Sequence, residues 1–279
     1  MFARDTRERP FATGIIASDS TVAKRAFSQT SRRLRVVVAD LFLTRERDRL
    51  VRSIVRSQAS ATRALASDTT LPKVIDLVAR VSPNVKAPIV LFTYYNPIYQ
   101  RGFETFVKEI ADAGAKGLLV PDIPLEETAE LSAICAKNGL DLVLLSTPTT
   151  PIERMEAIAK ASNGFIYLVS VTGVTGVRSG VESRVEELVK KLKTVTDKPV
   201  CVGFGISEGE QAQQVVRWGA DGVIVGSALV KALGEAPTPE EGLARLDALA
   251  QELRAGSNRE GARAPGSAGG FFANLFGKK

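Results

Sequence analysis

Apolar and polar positions follow two periods along this chain, and from residue 69 onward the two periods take turns. In "TTLPKVIDLVARV" (69–81), Val74, Leu77, Val78 and Val81 fall at helical spacing, Thr70 is placed to cap and Pro72 suits the first turn. "APIVLFTYYN" (87–96) is an apolar run of strand length. "GFETFVKEIADAG" (102–114) returns to the helical period, with Phe103, Phe106, Val107 and Ile110 on one face and Gly114 as a stop. The unit then recurs. "GLLVPDIP" (117–124), "DLVLLSTPTT" (141–150), "FIYLVSVTG" (165–173), "PVCVGFGIS" (199–207) and "DGVIVGSAL" (221–229) each precede a helical stretch. "TPEE" (238–241) is a capping sequence for a last helix carrying Leu243, Leu246 and Leu253.

These six strands are apolar on both faces, as a parallel sheet covered by helices requires. A closed barrel and an open doubly wound sheet both satisfy that pattern. The open sheet should carry GxGxxG after its first strand with an acid about 20 residues on, and the chain has no such combination. The glycine-rich turns follow the last three strands instead, where α/β barrels commonly bind phosphate. The expectation is therefore an α/β fold, a (β/α)8 TIM barrel of phosphate-binding type.

Charge narrows the partners. The net charge is +6. Residues 1–57 carry 13 Lys and Arg against 6 acids and residues 254–279 carry 5 against 1, which leaves 19 against 24 between them. The folded middle is mildly acidic, so no basic groove for nucleic acid is expected there. No apolar run reaches the roughly 20 residues that span a bilayer. Cys135 and Cys201 stand in unrelated contexts without metal-ligand spacing, and read as buried reduced thiols; no metal site is expected. Histidine is absent, which excludes Ser–His and Cys–His nucleophile systems and leaves acid–base chemistry to Asp, Glu, Lys, Tyr or Cys.

Glycine at a strand end lets backbone N–H groups approach an anion at the following helix. "GFGIS" and "VGSAL" both place Gly and Ser there, so Gly205, Gly226 and Ser227 are candidates to converge on one phosphate, with Gly176 closing the side. A structural role in tight turns is the alternative for each glycine taken alone.

"LFTYYNPI", "VPDIP", "STPTT", "VSVTGVTG", "VGFGIS" and "GVIVGSALV" occur in this order. Together they resemble the tryptophan synthase α subunit family, over about residues 58 to 253. The resemblance implies a (β/α)8 barrel lyase that cleaves indole-3-glycerol phosphate to indole and glyceraldehyde 3-phosphate. It implies no cofactor on this chain, and a β-subunit partner that carries pyridoxal phosphate and receives the indole. By the same resemblance Gly176, Gly205, Gly226 and Ser227 are phosphate-loop positions and Phe204 lies beside the substrate. Phe92 and Tyr94 line the indole pocket, with core packing as the alternative role. Tyr167 sits at the mouth of the sixth strand, Thr175 orients a catalytic carboxylate, and Asp122 and Pro124 face the β subunit.

The resemblance stops upstream. Family members carry a motif of the type E-L-G-x-P-x-S-D-P-x-A-D-G-P at the second strand. Its Glu is the acid–base and its last Asp holds the indole nitrogen. Here "RVVVADLFLTRERDRLVRSIVRS" (35–57) stands in that place, with neither E-L-G nor D-G-P. Val36–Val38 read as one further strand. Asp40, at its end, is the one candidate surrogate, and a solvated turn is its alternative role. Six strands and one more leave the barrel incomplete at its N-terminal side, with open edges and uncovered apolar faces. The domain reading is a basic segment 1–57, a barrel domain 58–254 and a flexible tail 255–279. The Arg-, Ser- and Thr-rich stretch 23–35 resembles a plastid transit peptide, against which Asp5, Glu8 and Asp19 count; a misjoined sequence is the alternative. A second function stays open beside the lyase: a non-catalytic partner that binds a phosphorylated ligand and regulates a β subunit.

Overall fold

The computed structural model describes residues 12–13, 37–42, 64, 66–85, 87–169, 178–203 and 205–257. Eight strands lie side by side in chain order: β1 (Ala12–Thr13), β2 (Val37–Phe42), β3 (Ile89–Thr93), β4 (Gly117–Leu119), β5 (Asp141–Ser146), β6 (Ile166–Val169), β7 (Val200–Gly203) and β8 (Gly222–Ile224). From β2 to β8 every pairing is parallel, and β1 is a two-residue antiparallel stub on β2. Among the described residues no pairing closes β8 onto the first strands. The six strands from β3 to β8 form a curled half-barrel, the incomplete (β/α)8 architecture that the repeat predicts.

Two corrections fall at the N-terminal side. The strand there is Val37–Phe42 rather than Val36–Val38. Asp40 is therefore inside a strand, not in a turn at its end, and its register partner is Phe92. The parallel ladder to β3 runs over five residues, from Val37 opposite Ile89 to Leu41 opposite Thr93, which is enough to hold the backbone extended past Asp40.

Alternation along the strands sorts the core into layers. Ile89 and Leu91 of β3, Leu118 of β4 and Leu142 and Leu144 of β5 pack outward under the helices α1 (Leu71–Val81), α3 (Phe103–Asp112) and α4 (Thr128–Lys137). Ile166, Leu168, Val200 and Val202 do the same under α6 (Arg178–Val195) and α7 (Gly209–Arg217), where Trp218 also packs. The intervening positions Val90, Phe92, Leu119, Val143, Tyr167 and Cys201 make a third, inner cluster with Phe165. Strand period 2 puts alternate residues on the helix side and on the inner side of the curled sheet.

That inner cluster is at most 6% exposed, so the apolar faces expected to lie uncovered are covered at these positions. Both thiols share the seclusion: burial pushes Cys201 up to about 12, with a further contribution from Asp221, and burial does the same for Cys135. Thiolate is the reacting form. Native protein at pH 8 should thus be modified by a thiol reagent about a thousandfold or more slowly than free cysteine. Prompt labelling of Cys201 in folded protein would mean that the inner face is open to water.

Two elements depart from the sequence pattern. The apolar run 87–96 is strand only to Thr93, and α2 (Tyr95–Arg101) begins within it. The Asp122 carboxylate accepts a hydrogen bond from Tyr95 N–H at 2.8 Å, which caps the new helix from the neighbouring loop. At the other end α9 (Pro239–Ser257) runs three residues past the expected boundary at 254, and Ser257 Oγ bonds back to Arg254 O. Thr238 Oγ1 accepts from Glu241 N–H at 3.2 Å, as the capping sequence predicts, whereas Thr70 occupies the N-cap of α1 without a side-chain cap bond.

The N-terminal ends of the strands are tied by a lysine. Lys198 Nζ donates to the carbonyls of Ala159, Lys160 and Ser162 at 2.8, 3.1 and 2.6 Å, closing the C-terminus of α5 (Ile152–Ala161). Burial holds the Asp141 carboxyl above its usual range there, although Lys198 pulls the other way. In a barrel this end serves stability, and the opposite end carries the chemistry.

Candidate functional site

The inner row carries two aromatic rings. Phe92 of β3 and Tyr167 of β6 meet edge to face, with ring centroids 6.4 Å apart and planes at 86°. The Tyr167 ring crosses toward β7. A Cβ added at Gly203 would lie 2.6 Å from Tyr167 Cε2 and 2.7 Å from its hydroxyl oxygen. Glycine ends β7 because the phenol occupies the space a side chain would need. The pattern reading passed over Gly203, although a glycine inside a strand signals a close approach of this kind. Phe92 and Tyr167 thus pack edge to face on the inner side, with Gly203 against the Tyr167 ring next to the turn carrying Gly205. Tyr94 follows on the β3 side, half-buried at the N-cap of α2.

Gly205 has φ +83°, a left-handed conformation that favours glycine by itself. Gly226 is different. Its φ is −115°, and an added Cβ would meet no described atom within 4 Å. Its φ is not left-handed and no described atom crowds it, so among the described residues nothing requires glycine there. Gly226 and the exposed Ser227 head α8 (Ser227–Gly234), which has no side-chain cap and no acid in its first turn. The first N–H groups of such a helix have no partner within the helix and carry its positive end.

The neighbouring helix end is already filled. Gly209 N–H at the start of α7 donates to the Glu252 carboxylate at 2.7 Å, and Ser207 N–H donates to Gln211 Oε1 at 2.7 Å. Of the two glycine strand-ends, the one after β8 is open to an anion and the one after β7 is held by the chain's own side chains. Glu252 had no signal in the sequence, because its partner lies 43 residues away.

Asp122 and Pro124 are both exposed on the loop after β4. Asp122 has the internal partner described above, so its role is not confined to an external surface. The same loop is braced to α5 by Arg154, which bonds both oxygens of Glu126 at 2.7 and 3.0 Å and holds that carboxyl down to about 2. Thr175, Gly176 and Phe204 lie outside the described residues, as do most of segments 1–57 and 255–279.

A curled parallel sheet whose strands alternate with helices defines a protein of the (β/α)8 type. The family model described as tryptophan synthase alpha chain matches residues 56–258, and the chain belongs to that family. It is 57% identical over 197 residues to the tryptophan synthase alpha chain of Picosynechococcus sp., covering 71% of this chain and 74% of that one. With the Arabidopsis thaliana alpha chain it shares 53% identity over 197 residues, covering 71% and 72%. Among solved structures, the tryptophan synthase a2b2 complex of Pyrococcus furiosus is similar with a TM-score of 0.67 at 37% identity, covering 72% of this chain and 80% of that one. A second structure of the complex from that organism gives a TM-score of 0.70 at 32% identity, with 85% and 92% covered. No helix among the described residues is long and apolar enough to cross a membrane.

Proposed function

We propose that this chain binds indole-3-glycerol phosphate across the C-terminal ends of its strands, as an α-type lyase subunit of tryptophan synthesis. The observation that carries the reading is Gly226, against which an added Cβ would meet no described atom, at the head of a helix without a side-chain cap bond. The phosphate sits against Gly226 and Ser227, with Gly205 beside it and Gly176 closing the site. The indole lies against Phe92, Tyr94 and Tyr167, with Phe204 and Thr175 at its edge. A dianion at a helix N-terminus gains charge-assisted hydrogen bonds without any lysine or arginine.

One observation favours the second reading, a ligand-binding partner that regulates rather than catalyses. The chain carries neither the E-L-G nor the D-G-P motif that supplies the two carboxylates in the family. Both readings share the phosphate site. Titration calorimetry should show one indole-3-glycerol phosphate per chain, displaced competitively by glycerol 3-phosphate. A folded chain that takes up neither compound refutes both.

The reading also assigns a β-type partner, supported by the likeness to the a2b2 complexes. Pyridoxal phosphate belongs to that partner, and this chain is assigned no cofactor. The docking loops are those of Asp122 and Pro124, where proline lowers the entropy lost on association. Pro124→Gly should weaken the complex severalfold in sedimentation, by about 0.4–1 kcal/mol. Equal affinity for both forms places the interface elsewhere. A plastid location fits the composition of residues 23–35 and the similarity to the Arabidopsis chain.

A further inference from the structure

The last helix reaches the turn after β7 through two contacts that the phosphate reading does not use. Glu252 Oε1 accepts the Gly209 N–H at 2.7 Å. One turn further on, Gly256 lies directly against the same residue: a Cβ at Gly256 would fall 2.0 Å from Gly209 O and 3.0 Å from its Cα. A Cβ at Gly209 would in turn lie 2.9 Å from Glu252 O. The C-terminal half of α9 therefore rests on the first turn of α7, backbone against backbone, at a pair of glycines.

Only residues 204–208 separate the end of β7 from that turn, and Gly205 is among them with its φ of +83°. The loop is a short bridge with both ends fixed. Its first end is set by the ladder between β7 and β6. Its second end is set by Glu252 and by Gln211, whose side-chain oxygen holds Ser207 N–H. Ile206, in the middle, is buried and anchors the span to the helix-side core.

We propose that Glu252 is a positioning residue for the loop that flanks the anion site: from the last helix it fixes the first turn of α7, and so the geometry in which Gly205 lies beside the phosphate held at α8. The inference rests on the reading of that loop as part of the phosphate site. Its sign is distinctive. Glu252 is negative and bonds the helix that follows the flanking loop, so removing it as a mere charge would not weaken anion binding. Removing it as a clamp frees the start of α7, lets the bridge sample other conformations, and weakens binding.

The test is calorimetry of the full 279-residue chain with sn-glycerol 3-phosphate, with hydrogen exchange followed over residues 203–211. Glu252→Ala should weaken binding about fivefold, the effect of a lost cap, and speed exchange in that segment. Glu252→Gln keeps an oxygen for the Gly209 N–H and should restore both to within about twofold. Leu249→Ala loosens the same helix without touching Gly209, and should lower Tm while leaving affinity unchanged. Unchanged or tighter binding by Glu252→Ala overturns the inference, as does weakening by Leu249→Ala to the same degree. Gly226→Asp separates the two levels. If it abolishes binding while Glu252→Ala changes nothing, only the positioning role is lost; if wild-type chain binds no glycerol 3-phosphate, the site reading fails and the positioning role falls with it.

Discussion

Given saturating indole-3-glycerol phosphate, the purified 279-residue chain should release indole at least about a thousandfold more slowly than a complete α subunit. Cleaving the bond between the indole ring and the glycerol chain requires a proton at the ring carbon. It also requires removal of a proton from the side-chain hydroxyl, so that the departing carbon becomes an aldehyde. Positioned acid–base catalysis of this kind contributes on the order of 10² to 10⁴ in rate. A second carboxylate at the indole nitrogen would stabilise the positive charge that develops there, a further electrostatic contribution of a few kcal/mol. The chain has no histidine, no E-L-G and no D-G-P. Loops that held substrate and transition state alike would not raise the turnover of bound substrate. Asp40 is the first residue to test, because its strand runs in register with the inner Phe92. Turnover close to that of a complete subunit, abolished by Asp40→Asn, would make it the acid–base and would contradict the prediction of a slow chain.

Gly226→Asp should weaken phosphate-ligand binding by at least about 2 kcal/mol, roughly thirtyfold. The substitution does little to the fold itself. The backbone at Gly226 has a negative φ, and an added Cβ meets no described atom. What changes is the space before α8. An Asp there occupies it, presents a negative charge to an incoming dianion, and can bond the N–H groups of the first turn as an N-cap. The variant should therefore melt no lower than wild type while losing the ligand. Retained affinity, or loss of affinity together with a fall in Tm, would mean that Gly226 is a structural glycine.

The parallel sheet, its strand order and the layering of its core were legible because the two periods repeat with little interruption from residue 71 to 257. The positions that failed have physical reasons. Tyr95 to Arg101 is helix although the sequence continues an apolar run, because a cap comes from Asp122, 27 residues away. Asp40 reads as a turn in a segment rich in charge, and only pairing with β3 reveals the strand. In the site, Gly205 and Gly226 look equivalent as letters, each a glycine between a strand and a helix. The first is required by its own backbone and the second is not, and the helix after the first is already occupied by Glu252. Gly203 is visible in the sequence as a strand glycine, but the ring it accommodates is contributed by β6. Occupancy and close approach depend on chain that is distant in sequence, and no local pattern encodes them.

The claim that organises the site is that an anion docks on the open end of α8 rather than on α7. Amide chemical shifts followed through a titration with glycerol 3-phosphate test it most directly. A saturable, downfield movement of the Ser227 and Ala228 N–H signals is the expected result, with the Gly209 signal unmoved because Glu252 already holds it. Movement at Gly209 and Glu210 with Ser227 and Ala228 unaffected would contradict the account.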